Sequence, residues 1–242
     1  MRAAVWGPAY VGGVQAGAWA MARMDPEARR RVLREWSTNV DNLAAGRWLT
    51  LGQSALVVEE PMPLPYALLL LAVLGYAEYA YGVWWTAAVF LFGHVGASLL
   101  VYGGLRARRV PTAGDPGGDA GARAGTDGDG TGGDGTGGDA VARGRAARVA
   151  ARREAVIRGA VDVGTSYGFN AVVGALTSAL PAGRVRIAAR VGLVALAAVP
   201  VVSRRRTFTD AGHATAVALG VGVAVVVDCL SPRNHRRIIQ KD

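Results

Sequence analysis

Apolar residues in this chain are gathered into continuous runs parted by long polar segments, rather than recurring at the spacing of a soluble amphipathic helix. The clearest runs are 65–81 (PYALLLLAVLGYAEYAY), 84–103, 187–202 and 211–230, each bounded by Pro, Gly or Arg. A bilayer core about 30 Å thick takes roughly 20 such residues as helix, so each run predicts a membrane-crossing helix. The stretch 164–180 carries Ser166, Asn170 and Thr177, yet it is too apolar for an exposed loop and predicts a further crossing. At the N-terminal end, 3–21 is weakly apolar and contains Gln15. A signal peptide competes with a retained helix there, because Ala18 and Ala20 lie in small-residue contexts that suit cleavage. The retained helix gives six spans, so the expected fold is an all-α membrane protein, a six-transmembrane-helix bundle forming one domain over 1–242.

The polar segments divide by composition. Residues 24–64 join a basic helical run, EARRRVLREW, to a stretch with Trp36 and Trp48 and apolar residues at mixed spacing, which predicts an interfacial loop between spans 1 and 2. Residues 105–153 form the connection between spans 3 and 4. Its centre, 114–139, is rich in Gly and Asp and too poor in apolar residues to offset the entropy of ordering, which predicts disorder.

The formal charge of +9 is almost all arginine, Lys241 being the only lysine, and the arginines cluster just outside apolar runs. That placement reads as headgroup contact and topology signal, so membrane lipids are the expected partner and nucleic acid is not. Arg184, Arg186, Arg190 and the basic C-terminal tail place both termini on the cytoplasmic side, against the opposite pull of Arg204, Arg205 and Arg206. Cys229 is the only cysteine, which excludes an internal disulfide and a cysteine-cluster metal site. Neither a metal nor a cofactor is expected.

Polar side chains inside a span are costly, about 2.5–3.5 kcal/mol for a central charge on insertion scales, so each needs a reason. Glu78 and Asp228 lie near span ends, where reaching the headgroups accounts for them. Asp162 stands where it caps the helix that follows or serves a site. Ser166 and His213 differ. Each is near the start of its span, and the two spans, separated by one crossing, run in the same direction. Ser166, Asn170 and Gly174 share one helix face, and His213, Ala216 and Gly220 share another. Small residues below each polar group let the helices approach closely, which brings hydroxyl and imidazole within reach of a nucleophile and base. The plain alternative is that Ser166 bonds to its own helix and His213 to a loop.

These residues resemble the rhomboid intramembrane serine proteases. Gly164-Thr165-Ser166, with Gly174 eight residues on, is similar to the Gly-x-Ser opening of that family's fourth span. FTDAGHATAVALG, giving His213, Ala216 and Gly220, is similar to its sixth span. RWLTLGQSAL resembles the loop entering the second span, and YAEYAYG the Glu and Gly that close it. Two departures stand out: Tyr167 replaces the glycine after the serine, and 65–81 lacks the His and Asn that help bind the oxyanion. His94 and Asn170 are the candidate substitutes.

The resemblance implies a rhomboid-like six-helix bundle of a bacterial cell membrane that cleaves transmembrane substrates through a Ser166–His213 dyad, with Gly164, Gly174, Ala216 and Gly220 packing the helices. One alternative is an inactive rhomboid-like protein that binds transmembrane segments, for which the missing oxyanion donors argue. A transporter with His94, Asp162 and His213 as a proton path is a third, against which stands the lack of paired broken spans.

Overall fold

The structure, a computed structural model, describes residues 4–107, 163–203 and 208–230. Those residues are helical and contain no strand. In order they form α1 (Trp6–Met21), α2 (Pro26–Trp36), α3 (Val40–Ala44), α4 (Thr50–Gln53) with a 3-10 turn (Ser54–Leu56), α5 (Leu64–Tyr81) and α6 (Val83–Ala107). After the gap come α7 (Ser166–Ala175) with a 3-10 turn (Leu176–Ala179), α8 (Arg184–Val202) and α9 (Phe208–Leu230). Asp162 and the Gly/Asp-rich centre of 105–153 lie outside the described residues.

Among the described residues, four helices are long and apolar enough to cross a membrane: Leu64–Tyr81, Val83–Gly104, Arg184–Val202 and Thr209–Leu230. They coincide with the four clearest apolar runs. Proline sets the start of α5, and Gly82, at φ 93°, ends it and lets α6 begin at once. The other two expected spans are shorter. α1 has 16 residues, about 24 Å of helix, and α7 has 10 before its 3-10 turn.

Contacts at the helix ends fix the directions. At one end, α5 meets the start of α1 through Glu78, Tyr81 meets Ser178 after α7, and the start of α8 meets the end of α9 through Asp228. At the other end, Tyr102 of α6 reaches Thr38, Tyr66 of α5 reaches Thr165, and Ser166 meets His213. Successive long elements therefore alternate in direction, with α7 and α9 parallel. The main core lies between α1, α5, α6 and α7, where Leu70, Leu74, Phe90 and Val172 are buried.

Two polar residues are not where headgroup contact would put them. Glu78 is buried, and its carboxylate accepts from the backbone N–H groups of Val5, Trp6 and Gly7 at 2.8, 3.1 and 3.0 Å. A helix N-terminus has unsatisfied donors and a positive dipole end, so this carboxylate anchors α1 against α5. Asp228 accepts from Arg186 at 2.6 Å and from Arg190 at 2.7 Å. These two arginines are thus bundle contacts and not topology signals alone, since Arg186 is buried and also donates to the Leu180 carbonyl.

The segment 24–64 folds into short helices, the first two of them capped by side chains. Asp25 accepts from the N–H groups of Glu27 and Ala28, and Asn39 from that of Asn42. Trp36, Trp48 and Leu49 are exposed, as an interfacial segment requires, whereas Ser37, Thr38 and Ser54 are completely buried. Part of this loop therefore belongs to the interior of the bundle.

Candidate active site

The chain enters α7 through Gly164, whose φ of +128° lies in the region that favours glycine. Its N–H donates to the Ser54 carbonyl at 3.0 Å, and the Thr165 hydroxyl lies 3.2 Å from that of Tyr66. Ser166 is then the first residue of a helix that no side chain caps. His213 stands in the second turn of α9, and its Nε2 is 3.0 Å from Ser166 Oγ. With the ring proton on Nδ1, Nε2 accepts the hydroxyl proton, which is the relation of nucleophile to general base. Both residues are partly exposed, so the pair is not sealed inside the protein.

The approach of α7 and α9 rests on missing side chains. A Cβ on Gly174 would lie 2.5 Å from the Val217 carbonyl oxygen and 2.9 Å from the Val221 nitrogen. A Cβ on Gly220 would collide with the Ala171 carbonyl, and Ala216 is wholly buried between the helices. α6 joins the same contact, since a Cβ on Gly93 would fall on the Ala171 side chain.

Tyr167, in place of the expected small residue, is accommodated. Its buried ring meets the His213 ring edge-on, with centroids 5.4 Å apart and planes at 82°, and lies 6.0 Å from the His94 ring. Gly212 makes the room, because a Cβ there would strike the Tyr167 ring. A glycine directly before the histidine was the sequence signal for this.

The two oxyanion candidates have other engagements. Asn170 Nδ2 donates to the Ser166 carbonyl at 2.8 Å, one turn back along α7. His94 is wholly buried, and its Nε2 is 2.8 Å from Ser54 Oγ. Ser54, Thr38 and Tyr102 were not singled out in the sequence as site residues. Only Tyr102 carries a sequence signal, falling at four-residue spacing with Thr86, Phe90, His94 and Ser98 along α6, all of them buried in the structure. Among the described residues no three His, Cys, Asp or Glu side chains gather as a metal site would require. An apolar cleft of about 410 Å³ between α1, α4 and α6 is lined by Trp6, Tyr10 and Phe90 and does not include Ser166 or His213.

Four membrane-length helices, parallel α7 and α9, and a Ser–His pair at one end of the bundle define a multi-pass membrane protein with polar chemistry held between its helices. Residues 9–113 and 139–232 match a family model described as rhomboid-like protein, and the chain belongs to that family. Comparison with curated proteins gives no match, and comparison with solved structures gives none.

Proposed function

We propose that this rhomboid-like protein is an intramembrane serine protease acting on transmembrane substrates. The observation that carries the reading is the 3.0 Å separation of Ser166 Oγ, at the start of α7, and His213 Nε2, on the membrane-length helix α9. In this reading Ser166 Oγ attacks the scissile carbonyl as His213 takes its proton. The oxyanion is held by the Ser166 backbone N–H and the second amide proton of Asn170, since the first is bound to the Ser166 carbonyl. His213 returns the proton to the leaving amine, and water then releases the acyl group by the same path. A dyad without a carboxylate suffices for this chemistry. A fluorophosphonate probe is expected to label the wild-type protein and not Ser166→Ala in detergent. Unlabelled wild type, in a folded and monodisperse sample, rejects the protease.

A second reading has its own observation. The buried residues of α5 are Leu70, Leu74, Ala77 and Glu78, none of them a His or Asn, and Glu78 lies at the opposite end of the bundle from the pair. That favours a protein that holds transmembrane clients without cutting them, and the same probe experiment decides between the two.

The proposed arrangement in a bacterial cell membrane has six crossings, α1 and α7 included, and the alternating helix directions support it. In a Cys229→Ala background, Trp48→Cys and Ala182→Cys are expected to react with an impermeant thiol reagent from opposite sides, and an N-terminal tag to lie opposite Trp48→Cys. Reaction of both cysteines from one side leaves α7 without a crossing and overturns the arrangement.

A further inference from the structure

We propose that Ser54, in the loop between α1 and α5, is a positioning residue for the turn that presents Ser166. The proposal rests on Ser166 being the nucleophile. Ser54 joins three parts of the protein. Its Oγ lies 2.8 Å from His94 Nε2 on α6 and 3.0 Å from Thr38 Oγ1, and its carbonyl accepts from the Gly164 N–H at 3.0 Å. Ser54, Thr38 and His94 are all wholly buried.

The protons in this chain can be placed. Thr38 Oγ1 donates to the Thr50 carbonyl at 3.1 Å, so the Ser54 hydroxyl has its acceptors on the side away from His94, Thr38 Oγ1 at 3.0 Å and the Leu51 carbonyl at 3.4 Å. Ser54 Oγ then accepts from a His94 Nε2–H. This order leaves His94 Nδ1, which has no hydrogen-bond partner among the described residues, as a bare lone pair. The reverse order would leave Nδ1–H as a buried donor without an acceptor, and a group left in that state costs about 1–3 kcal/mol. The Ser54 hydroxyl proton therefore points away from His94, and this second Ser–His pair is a strut and not a nucleophile with its base.

The strut sets the plane of the Ser54 peptide, whose carbonyl in turn holds the Gly164 N–H. Gly164 has the freest backbone in the turn and stands two residues before Ser166. Its restraint bears directly on where the Ser166 hydroxyl sits relative to His213. Tyr102 steadies the same loop from two turns further along α6, donating to the Thr38 carbonyl at 2.7 Å.

The test combines amide exchange with probe kinetics on the full chain. Ser54→Ala is expected to speed hydrogen exchange in a peptide covering 163–168 while leaving α8 unchanged. It is also expected to lower the maximal rate of fluorophosphonate labelling by about tenfold to a hundredfold, with little change in the probe concentration at half-saturation. The pH profile of labelling is expected to keep its shape, because His213 is untouched. Should Ser54→Ala not fold, His94→Gln and His94→Leu serve instead. Gln retains an N–H donor towards Ser54 and is expected to stay nearer wild type than Leu in both measurements. Exchange at 163–168 equal to wild type overturns the proposal, as does faster exchange with an unchanged labelling rate. If wild type itself is not labelled, the protease reading fails on its own, and exchange alone then judges whether Ser54 holds the turn.

Discussion

Gly220→Ala is expected to slow the reaction of Ser166 with a fluorophosphonate by about a hundredfold, while the protein still inserts in the membrane and purifies monodisperse. A single methyl group suffices because the atom it meets is backbone, the Ala171 carbonyl, which has no rotamer to escape into. Lipid gives helices little hydrophobic reason to associate, so α7 and α9 are held by packing, and an inserted methyl forces them apart. A displacement of about 1 Å at a catalytic pair costs on the order of a hundredfold. Gly174→Ala meets the Val217 carbonyl oxygen and the Val221 nitrogen and is expected to act in the same direction, and leucine at either position to abolish labelling. Gly75→Leu on α5 and Gly222→Leu on α9 are the controls, because a Cβ at either glycine has nothing within 4 Å. Leucine there is expected to label at close to the wild-type rate. Wild-type labelling of both Gly174→Leu and Gly220→Leu would show that close contact of these helices does not hold Ser166 to His213.

What could be read from the sequence follows from how local each signal is. Continuous apolar runs closed by proline, glycine or arginine carry their meaning without reference to any other part of the chain. The runs at 65–81 and 211–230 accordingly lie within three residues of the observed Leu64–Tyr81 and Phe208–Leu230. The stripes below Ser166 and His213 were legible for the same reason: helical spacing and small side chains are both local. Bringing the two stripes together needed only the direction of each span.

Partners across the bundle were not legible. A carboxylate near a span end reads the same whether it reaches a headgroup or a neighbouring helix, and Glu78 and Asp228 took the second course. Nothing near Glu78 in the sequence says that the start of α1 lies beside it. His94 was visible as a polar residue in a span, but its partner is Ser54, forty residues away in a loop whose composition suggested only an interface. Tyr167 looked like an obstacle to a tight helix opening, because the room for it is made on a different helix, at Gly212.

Asp228→Ala is expected to lower the unfolding free energy by on the order of 3 kcal/mol, the lower end of the cost of removing one partner from a buried ion pair. Two arginines depend on this carboxylate, and the side chains of Arg186, Arg190 and Asp228 are 9%, 14% and 22% exposed. The partial exposure of Asp228 keeps the figure at the lower end. The loss falls on α8, whose single buried residue is Arg186 and whose Val185, Ile187, Val191 and Leu196 are exposed and suited to lipid. Arg190→Gln is expected to cost less, because Arg186 still neutralises Asp228. Arg186→Ala falls between, since it also releases the Leu180 carbonyl, to which Nε and Nη2 both donate. A triple variant with leucine at 186, 190 and 228 is expected to recover much of the loss, as no charge of this cluster is then left unpaired. The cluster lies about 22 Å along α9 from His213, so the folded fraction of Asp228→Ala is expected to label at Ser166 as wild type does. Unfolding in mixed micelles, followed by circular dichroism, ranks the four variants. An Asp228→Ala protein as stable as wild type would mean that α8 is held by its contacts with lipid and α9 and not by the charge cluster.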